Sequence, residues 1–166
     1  SSYQSCPMGG FSQTKYWGTI DWTKKHYLLF NLDRNDSDAE VTGRVQLKDV
    51  DTIGAMGERG IGVRMNNLTL VGESYGTSLD SVDLTTTMVD SKAIRIWIIH
   101  DPATPKIEWW VNGVLKGTQS TAAKIPTTNA TDGSVLTYLA VSILRGATGA
   151  VNSDVFIMQP KLWQAV

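Results

Sequence analysis

Residues 93–118 read AIRIWIIHDPATPKIEWWVNGVLKGT, and they carry the clearest strand and turn signals in the chain. Residues 93–100 are rich in β-branched and aromatic side chains, which suit a pleated, half-buried strand. Residues 101–105 form a turn bracketed by prolines, and residues 106–111 run back as a second strand. The dipeptide Asn112-Gly113 then favours a tight hairpin turn with positive φ at both positions. The stretch therefore predicts two consecutive antiparallel hairpins.

The rest of the chain carries weaker versions of the same signals. Six Trp, five Tyr, three Phe and many β-branched residues are interrupted by Gly, Asn and Asp, and no long run of strong helix formers appears. This pattern predicts an all-β fold, an antiparallel two-sheet sandwich of roughly ten or eleven strands with less than about 10% helix. We expect one sandwich domain over residues 15–166, preceded by an extended N-terminal arm over residues 1–14.

Apolar residues at alternating positions predict which side chains form the core, because successive side chains of a strand point to opposite faces. In the first strand of the hairpin, the isoleucines share one face, and Arg95 and Trp97 share the other. The residues expected in the core are Ile94, Ile96, Ile98, Ile107, Val111, Leu139, Val141, Ile143, Phe156 and Met158.

Composition excludes several classes of partner. Fifteen Lys and Arg against sixteen Asp and Glu leave a net charge of −1, without the basic excess that nucleic acid binding needs. No apolar run approaches the roughly 18 residues that span a bilayer, so we expect no membrane insertion. Three Asn-x-Ser/Thr triplets begin at Asn35, Asn67 and Asn129, which favours an extracellular setting.

Two segments resemble a known superfamily. Residues 107–118, IEWWVNGVLKGT, are similar to the central hairpin of concanavalin A-like (laminin G-like) jelly-roll proteins, the superfamily of many lectins and glucanases. Residues 154–159, DVFIMQ, resemble its closing strand, which returns beside the first strand. The resemblance implies two antiparallel sheets, one flat or convex and one concave, with ligands bound on the concave face or at an edge that carries loops.

Signals for catalysis are absent from the sequence. Glucanases of the resembled superfamily carry Glu-x-Asp-x-x-Glu on one strand, and this chain has no such motif. The two histidines, His26 and His100, are far apart in sequence, and His100 precedes Asp101-Pro102, which indicates a turn residue. No nucleophile motif accompanies them. We therefore predict that the protein is not an enzyme.

The acidic run between the second and third strands has two interpretations. Asp33, Asn35, Asp36, Asp38 and Glu40 offer hard oxygen ligands at close spacing, which suits Ca²⁺. The run lacks the glycine of an EF-hand loop, and a solvated polar loop is the simpler interpretation. No other cofactor is indicated.

The adjacent tryptophans in the returning strand must point to opposite faces. The alternation of Ile107, Trp109 and Val111 favours Trp109 as the buried one and Trp110 as the outward one. Which of the two joins Arg95 and Trp97 depends on the register across residues 101–105, which the sequence leaves open. Burial of both rings under loops remains a separate alternative. Candidate ligand-binding residues on the outward face are Arg95, Trp97, Glu108 and Trp110.

Two functions from different classes follow from these residues. The first is a non-catalytic, lectin-like module that binds carbohydrate outside the cell, because sugar rings stack on exposed Trp. The second is a structural or adhesive subunit of a cell-surface or virion assembly, such as a capsid decoration, fibre or filament protein. Its partners would be other copies of itself in a homo-oligomer, and Cys6 is then either an incidental thiol or an intermolecular disulfide.

Overall fold

A computed structural model describes residues 11–35, 41–49, 56, 58–66, 68–89, 92–129, 136–145 and 154–165. These residues form eleven strands and one short 3₁₀ helix. The strands are β1 (Phe11–Thr19), β2 (His26–Asn35), β3 (Val41–Lys48), β4 (Gly60–Asn66), β5 (Thr69–Tyr75), β6 (Leu79–Thr87), β7 (Ile94–Asp101), β8 (Lys106–Val111), β9 (Val114–Gln119), β10 (Leu136–Arg145) and β11 (Asp154–Gln164). The all-β prediction is confirmed, since the helical part of the described chain is limited to Ala122–Lys124.

The strands build two sheets. The six-stranded sheet has the order β1-β10-β3-β4-β5-β6, and the five-stranded sheet has the order β11-β2-β7-β8-β9. Neighbouring strands in both sheets are antiparallel. The predicted antiparallel sandwich is therefore confirmed. No helix among the residues that the structure describes has the length and apolar character needed to cross a membrane.

The core lies between the sheets and contains most of the residues expected there. Ile94, Ile96, Ile98, Ile107, Val111 and Leu139 are all buried, as predicted. Burial of these branched side chains removes apolar surface from water, which is the main force that holds the two sheets together. The side chains of Ile143 and Phe156 lie outside the described part of the structure.

Two core predictions are wrong. Met158 lies opposite Asn31, which is on the outer face of β2, and its neighbour Ile157 packs against the core instead, as does Leu162 farther along β11. Val141 lies opposite the buried Val45 and faces inward, but it is only half-buried. Its strand, β10, lies between β3 and the edge strand β1.

Strand bounds correct two further predictions. β1 begins at Phe11 and pairs with β10, so residues 11–14 belong to the first sheet and not to an arm. Residues 1–10, which include Cys6, lie outside the described residues. β2 continues to Asn35, so Asp33 and Asn35 are strand residues and not part of a loop.

The turn between β8 and β9 has the predicted backbone. Asn112 has φ of 50° and Gly113 has φ of 81°, which confirms positive φ at both positions. Asn112 also links the turn to β7, because its backbone N–H donates to the Arg95 carbonyl at 2.8 Å and its Oδ1 accepts the Arg95 N–H at 2.8 Å.

Replacing Gly113 with Val should lower the free energy of unfolding by at least about 1 kcal/mol, because a β-branched residue is strained at positive φ. A Cβ at this position would meet no atom within 4 Å, so crowding does not contribute. Gly113→Asn is the matched control, since Asn tolerates this conformation. Thermal unfolding should show a melting temperature lower by at least roughly 2–4 °C for the Val variant alone. Equal melting temperatures for the two variants would contradict this account.

Candidate functional site

The four candidate ligand-binding residues lie on the outer face of the five-stranded sheet. Burial alternates along β7, where the isoleucines at 94, 96 and 98 are buried and Arg95 and Trp97 are exposed. Trp109 is fully buried, and Trp110 is half-buried on the opposite face of β8, which confirms the predicted orientation. The register that the sequence left open pairs Trp97 with Trp110. Residues directly opposite on one face have Cβ atoms about 4.5–5.5 Å apart, so the two indoles are neighbours.

The aromatic pair lines an open depression of about 820 Å³. Arg95, Trp97 and Trp110 all contribute to its lining, together with Asn31, Ile99 and Asn112. The lining therefore combines aromatic and aliphatic side chains with amide and guanidinium groups. Pockets that bind small molecules commonly combine an apolar lining with a few polar groups that fix orientation.

The fourth candidate, Glu108, stands beside the depression and is not part of its lining. Its Oε2 accepts a hydrogen bond from Trp110 Nε1 at 3.2 Å, and its Oε1 forms an ion pair with Lys106 Nζ at 2.8 Å. The hydrogen bond from Lys106 holds the pKa of Glu108 below its usual range, and the bond from Trp110 adds to this effect. Glu108 is thus an ionised carboxylate at neutral pH that helps to orient the Trp110 ring.

Arg95 is held in place by its backbone more than by its side chain. Both its backbone groups bond to Asn112, which connects the rim of the depression to the β8–β9 turn. Its Nε lies 3.5 Å from Asn31 Oδ1, at the limit of a hydrogen bond, and the side chain is exposed. The guanidinium therefore stands at the rim with donors directed toward solvent or a ligand.

The outer face extends beyond the residues that sequence reasoning selected. Leu29 lies opposite Trp97, and Leu115 lies opposite Trp110, so four strands contribute one apolar row. Trp163 on β11 lies opposite Tyr27 and is 46% exposed, similar to the 42% of Trp97 and the 43% of Leu115. Alternation alone could not select Leu115 and Trp163, because the register shifts within β9 and β11 decide that they face outward.

Comparison with known proteins adds structural likeness. No protein-family model matches the chain, and no curated protein matches it in sequence. Among solved structures, a Bacillus licheniformis β-glucanase superimposes with a TM-score of 0.56 at 14% identity, over 93% of this chain and 68% of the glucanase chain. A botulinum neurotoxin serotype G binding domain gives a TM-score of 0.59 at 10% identity, over 98% of this chain. This chain has a concanavalin A-like jelly-roll fold.

A third solved structure supports the same jelly-roll fold. It was solved in work on the endo-acting O-glycanases that prominent members of the human gut microbiota express to initiate mucin breakdown. The TM-score is 0.63 at 6% identity, over 98% of this chain and 78% of the other. The chain spans 41% of the length of the botulinum chain. At these low sequence identities, structural similarity shows a shared jelly-roll fold and not a shared activity.

The two histidines of the jelly roll form a buried pair, which corrects the prediction that His100 is a turn residue. His26 on β2 and His100 on β7 are directly opposite, 74 residues apart in sequence, with their Nδ1 atoms 3.1 Å apart. His100 Nε2 lies 2.6 Å from the Pro126 carbonyl oxygen, and the Trp22 ring meets both imidazoles edge-on. Burial lowers the pKa of His26, and it lowers the pKa of His100 to about 4.

The predicted calcium ligands are placed only in part. Asp33 stands on β2 with its Oδ1 buried and without a hydrogen-bond partner, and Asn35 ends the same strand. Asp36, Asp38 and Glu40 lie outside the described residues. Within the described part of the chain, no group of three or more His, Cys, Asp or Glu side chains could hold a metal ion. Calcium binding by residues 33–40 stays a prediction.

Proposed function

We propose that the domain binds carbohydrate on the outer face of its five-stranded sheet and does not cleave it. The observation that carries this proposal is the Trp97–Trp110 pair, two neighbouring indoles in an open depression with polar groups at the rim. The C–H face of a sugar ring can stack on an indole, and Asn31, Arg95 and Asn112 offer donors and acceptors to its hydroxyls. A large apolar surface left open on a monomer commonly marks a binding site.

The state of Glu108 supports binding without cleavage at this face. A glycosidase needs a carboxylic acid with a raised pKa to protonate the leaving oxygen and a second carboxylate across the bond. Glu108 is the candidate carboxylate nearest the aromatic pair, and its pKa is lowered by Lys106. Its oxygens are already engaged by Lys106 and Trp110, so it is suited to orient an aromatic ring and not to donate a proton.

The jelly-roll neighbours support a function connected with glycans. One is named as a β-glucanase, and another comes from work on O-glycanases that act on mucin. A third is named as a binding domain of a neurotoxin. With the three Asn-x-Ser/Thr triplets, these likenesses support an extracellular location for the protein.

The alternative function, a structural or adhesive subunit of a cell-surface or virion assembly, has its own observation. Leu115 and Trp163 continue the apolar surface toward both edges of the sheet, beyond the depression that a single sugar would fill. A second copy of the chain would cover more of this surface than a saccharide. A shallow sugar site is expected to bind weakly, near millimolar or about −4 kcal/mol. Repeated copies in an assembly would then supply avidity.

The Trp97→Ala/Trp110→Ala double variant tests the carbohydrate proposal. Loss of two stacking surfaces should weaken binding of the best ligand from a glycan array by about ten- to a hundredfold. Leu79→Ala is the control, because Leu79 is an exposed apolar residue on the six-stranded sheet. Affinity would be measured by titration calorimetry and oligomer size by light scattering. If the parent binds no glycan and the double variant loses only self-association, the carbohydrate proposal fails and the assembly subunit replaces it.

A further inference from the structure

A second group of polar residues lies on the other side of the sandwich, on the outer face of the six-stranded sheet. Glu73 on β5 accepts a hydrogen bond from Arg64 Nε at 2.6 Å and another from Gln46 Nε2 at 2.8 Å. Arg44 Nε lies 3.6 Å from Glu73 Oε2, which is an ion pair beyond hydrogen-bond distance. We call Arg44, Gln46, Arg64 and Glu73 the arginine cluster.

Strand register explains how the arginine cluster assembles. Arg44 on β3 lies directly opposite Arg64 on β4, so the two guanidinium groups project from one row of the sheet. In the next row Gly62 stands between Gln46 and Glu73. Because glycine has no side chain, Gln46 can reach across it to the Glu73 carboxylate. A Cβ at Gly62 would lie 3.1 Å from Gln46 Cγ and crowd this contact.

The members of the arginine cluster differ in exposure. Glu73 is only 2% exposed, although it is on the outer face, whereas the side chains of Arg44 and Arg64 are 14% and 21% exposed. The carboxylate is thus the more deeply buried group, and the two arginine side chains keep partial contact with solvent.

Charge in the arginine cluster is unbalanced. Among the residues that the structure describes, two guanidinium groups share the single Glu73 carboxylate, and Arg44 Nε is buried without a hydrogen-bond partner. A buried donor left unsatisfied carries a desolvation cost of about 1–3 kcal/mol, more when the group is charged. Asp83 is the carboxylate on this face of β6, but it is exposed and its Oδ1 accepts the Thr85 N–H. Lys48 on the same face has an interaction of its own and is not counted with these two cations.

We propose that Arg44 and Arg64 bind the carboxylate of an acidic saccharide on the outer face of the six-stranded sheet. A planar carboxylate matches the fork of a guanidinium group and accepts two parallel hydrogen bonds from it. Such a ligand would supply the missing acceptor for Arg44 and balance the second cation. The anionic group follows from the arginine cluster alone, and the saccharide rests on the proposed carbohydrate function. This site is separate from the Trp97–Trp110 face, which is suited to a neutral sugar.

Calorimetric titration with oligogalacturonate tests the site, with its methyl ester of equal length as the neutral match. We expect the protein to bind the acid and to bind the ester with at least tenfold weaker affinity. Added NaCl should weaken the affinity for the acid and leave the affinity for the ester unchanged. The Arg44→Gln/Arg64→Gln variant should lose at least tenfold in affinity for the acid. Lys24→Gln/Lys92→Gln is the control, since it removes the same charge from two exposed lysines and should bind as the parent does.

Each remaining outcome decides a separate part of the proposal. Unchanged affinity in the arginine variant, or equal binding of acid and ester, would overturn the site. If the protein prefers a sulfated oligosaccharide of equal length, the claim that the site is specific for a carboxylate is wrong. If acetate alone binds with the same affinity, the claim that the ligand is a saccharide is wrong. Should the double variant fail to fold by circular dichroism, Arg44→Lys and the NaCl dependence of the parent decide instead, and salt-independent binding would contradict the site. The Trp97→Ala/Trp110→Ala variant should still bind the acidic saccharide but no longer bind neutral sugars. The two proposals can therefore fail independently.

Discussion

Replacing Trp109 with alanine is expected to lower the free energy of unfolding by about 3–5 kcal/mol. The indole is fully buried between the sheets, and its Nε1 donates to the Gly62 carbonyl oxygen at 2.9 Å. It also fills the space above Gly72, where an added Cβ would lie 2.6 Å from its Cε2 atom. The variant therefore creates a cavity next to a glycine that cannot fill it, and it leaves a buried carbonyl without its donor.

The neighbouring Trp110 provides the control for this prediction. It has the same chemistry and lies one position away, but it faces outward and is half-buried. Trp110→Ala should cost less than about 1 kcal/mol, since its position can be filled by water. Urea unfolding of both variants, with the slope of the unfolding free energy against urea compared to detect partial unfolding, measures the difference. Similar losses for the two variants would mean that the register of β8 is wrong.

Acidification is expected to destabilise the domain through the buried histidine pair. The folded pKa of His100 is lowered to about 4 by burial, below the 6.5 of an exposed histidine. Between these values the unfolded chain binds more protons than the folded one, so the free energy of unfolding falls as pH falls. The contribution of His100 to the free energy of unfolding is fully present above a pH of about 6.5 and is lost as the pH falls toward about 4. At 1.36 kcal/mol for each pKa unit, His100 accounts for about 3 kcal/mol, and His26 acts in the same direction.

The surroundings of the pair define the control for the acid experiment. Burial is the largest effect on both histidines and lowers the pKa of each. The negative charge of Asp21 acts to raise the pKa of His26, and that of Asp101 acts to raise the pKa of His100, but both effects are smaller. Asp49 has a pKa raised by burial, so its protonation stabilises the folded chain in acid and partly offsets the histidines. His100→Gln keeps a neutral hydrogen-bonding group and removes the titration. Urea unfolding between pH of about 7 and about 4 should show a flatter dependence for this variant, and parallel curves would contradict the role of His100.

Much of the fold could be predicted because it depends on patterns of residues that are close together in the sequence. Alternation in residues 93–98 separates the buried isoleucines from Arg95 and Trp97, and this depends only on the period of a strand. The positive φ values at Asn112 and Gly113 follow from the steric freedom of those two residue types. The all-β class follows from the same strand and turn signals, repeated along the chain.

Predictions failed where both faces of a strand are apolar. Residues 155–158 read VFIM, so alternation alone does not say which side chains face the core, and Ile157 packs inward where Met158 was expected. Farther along β11, Gln159 has φ of 52° and the register shifts between Met158 and Lys161, so that two residues oppose one residue of β2. A bulge depends on pairing with another strand, and such pairing is not visible in the sequence of one strand.

The sequence by itself determined the strand class, the β8–β9 turn and the face on which Trp97 lies, because each depends on residues a few positions apart. Only the tertiary structure decided that Trp97 lies beside Trp110, that His26 meets His100 and that Arg44 and Arg64 share Glu73. Those contacts join strands that are distant in the chain, and their register is set by the packing of two whole sheets. A shift of one residue in any of these strands would turn its side chains to the other face.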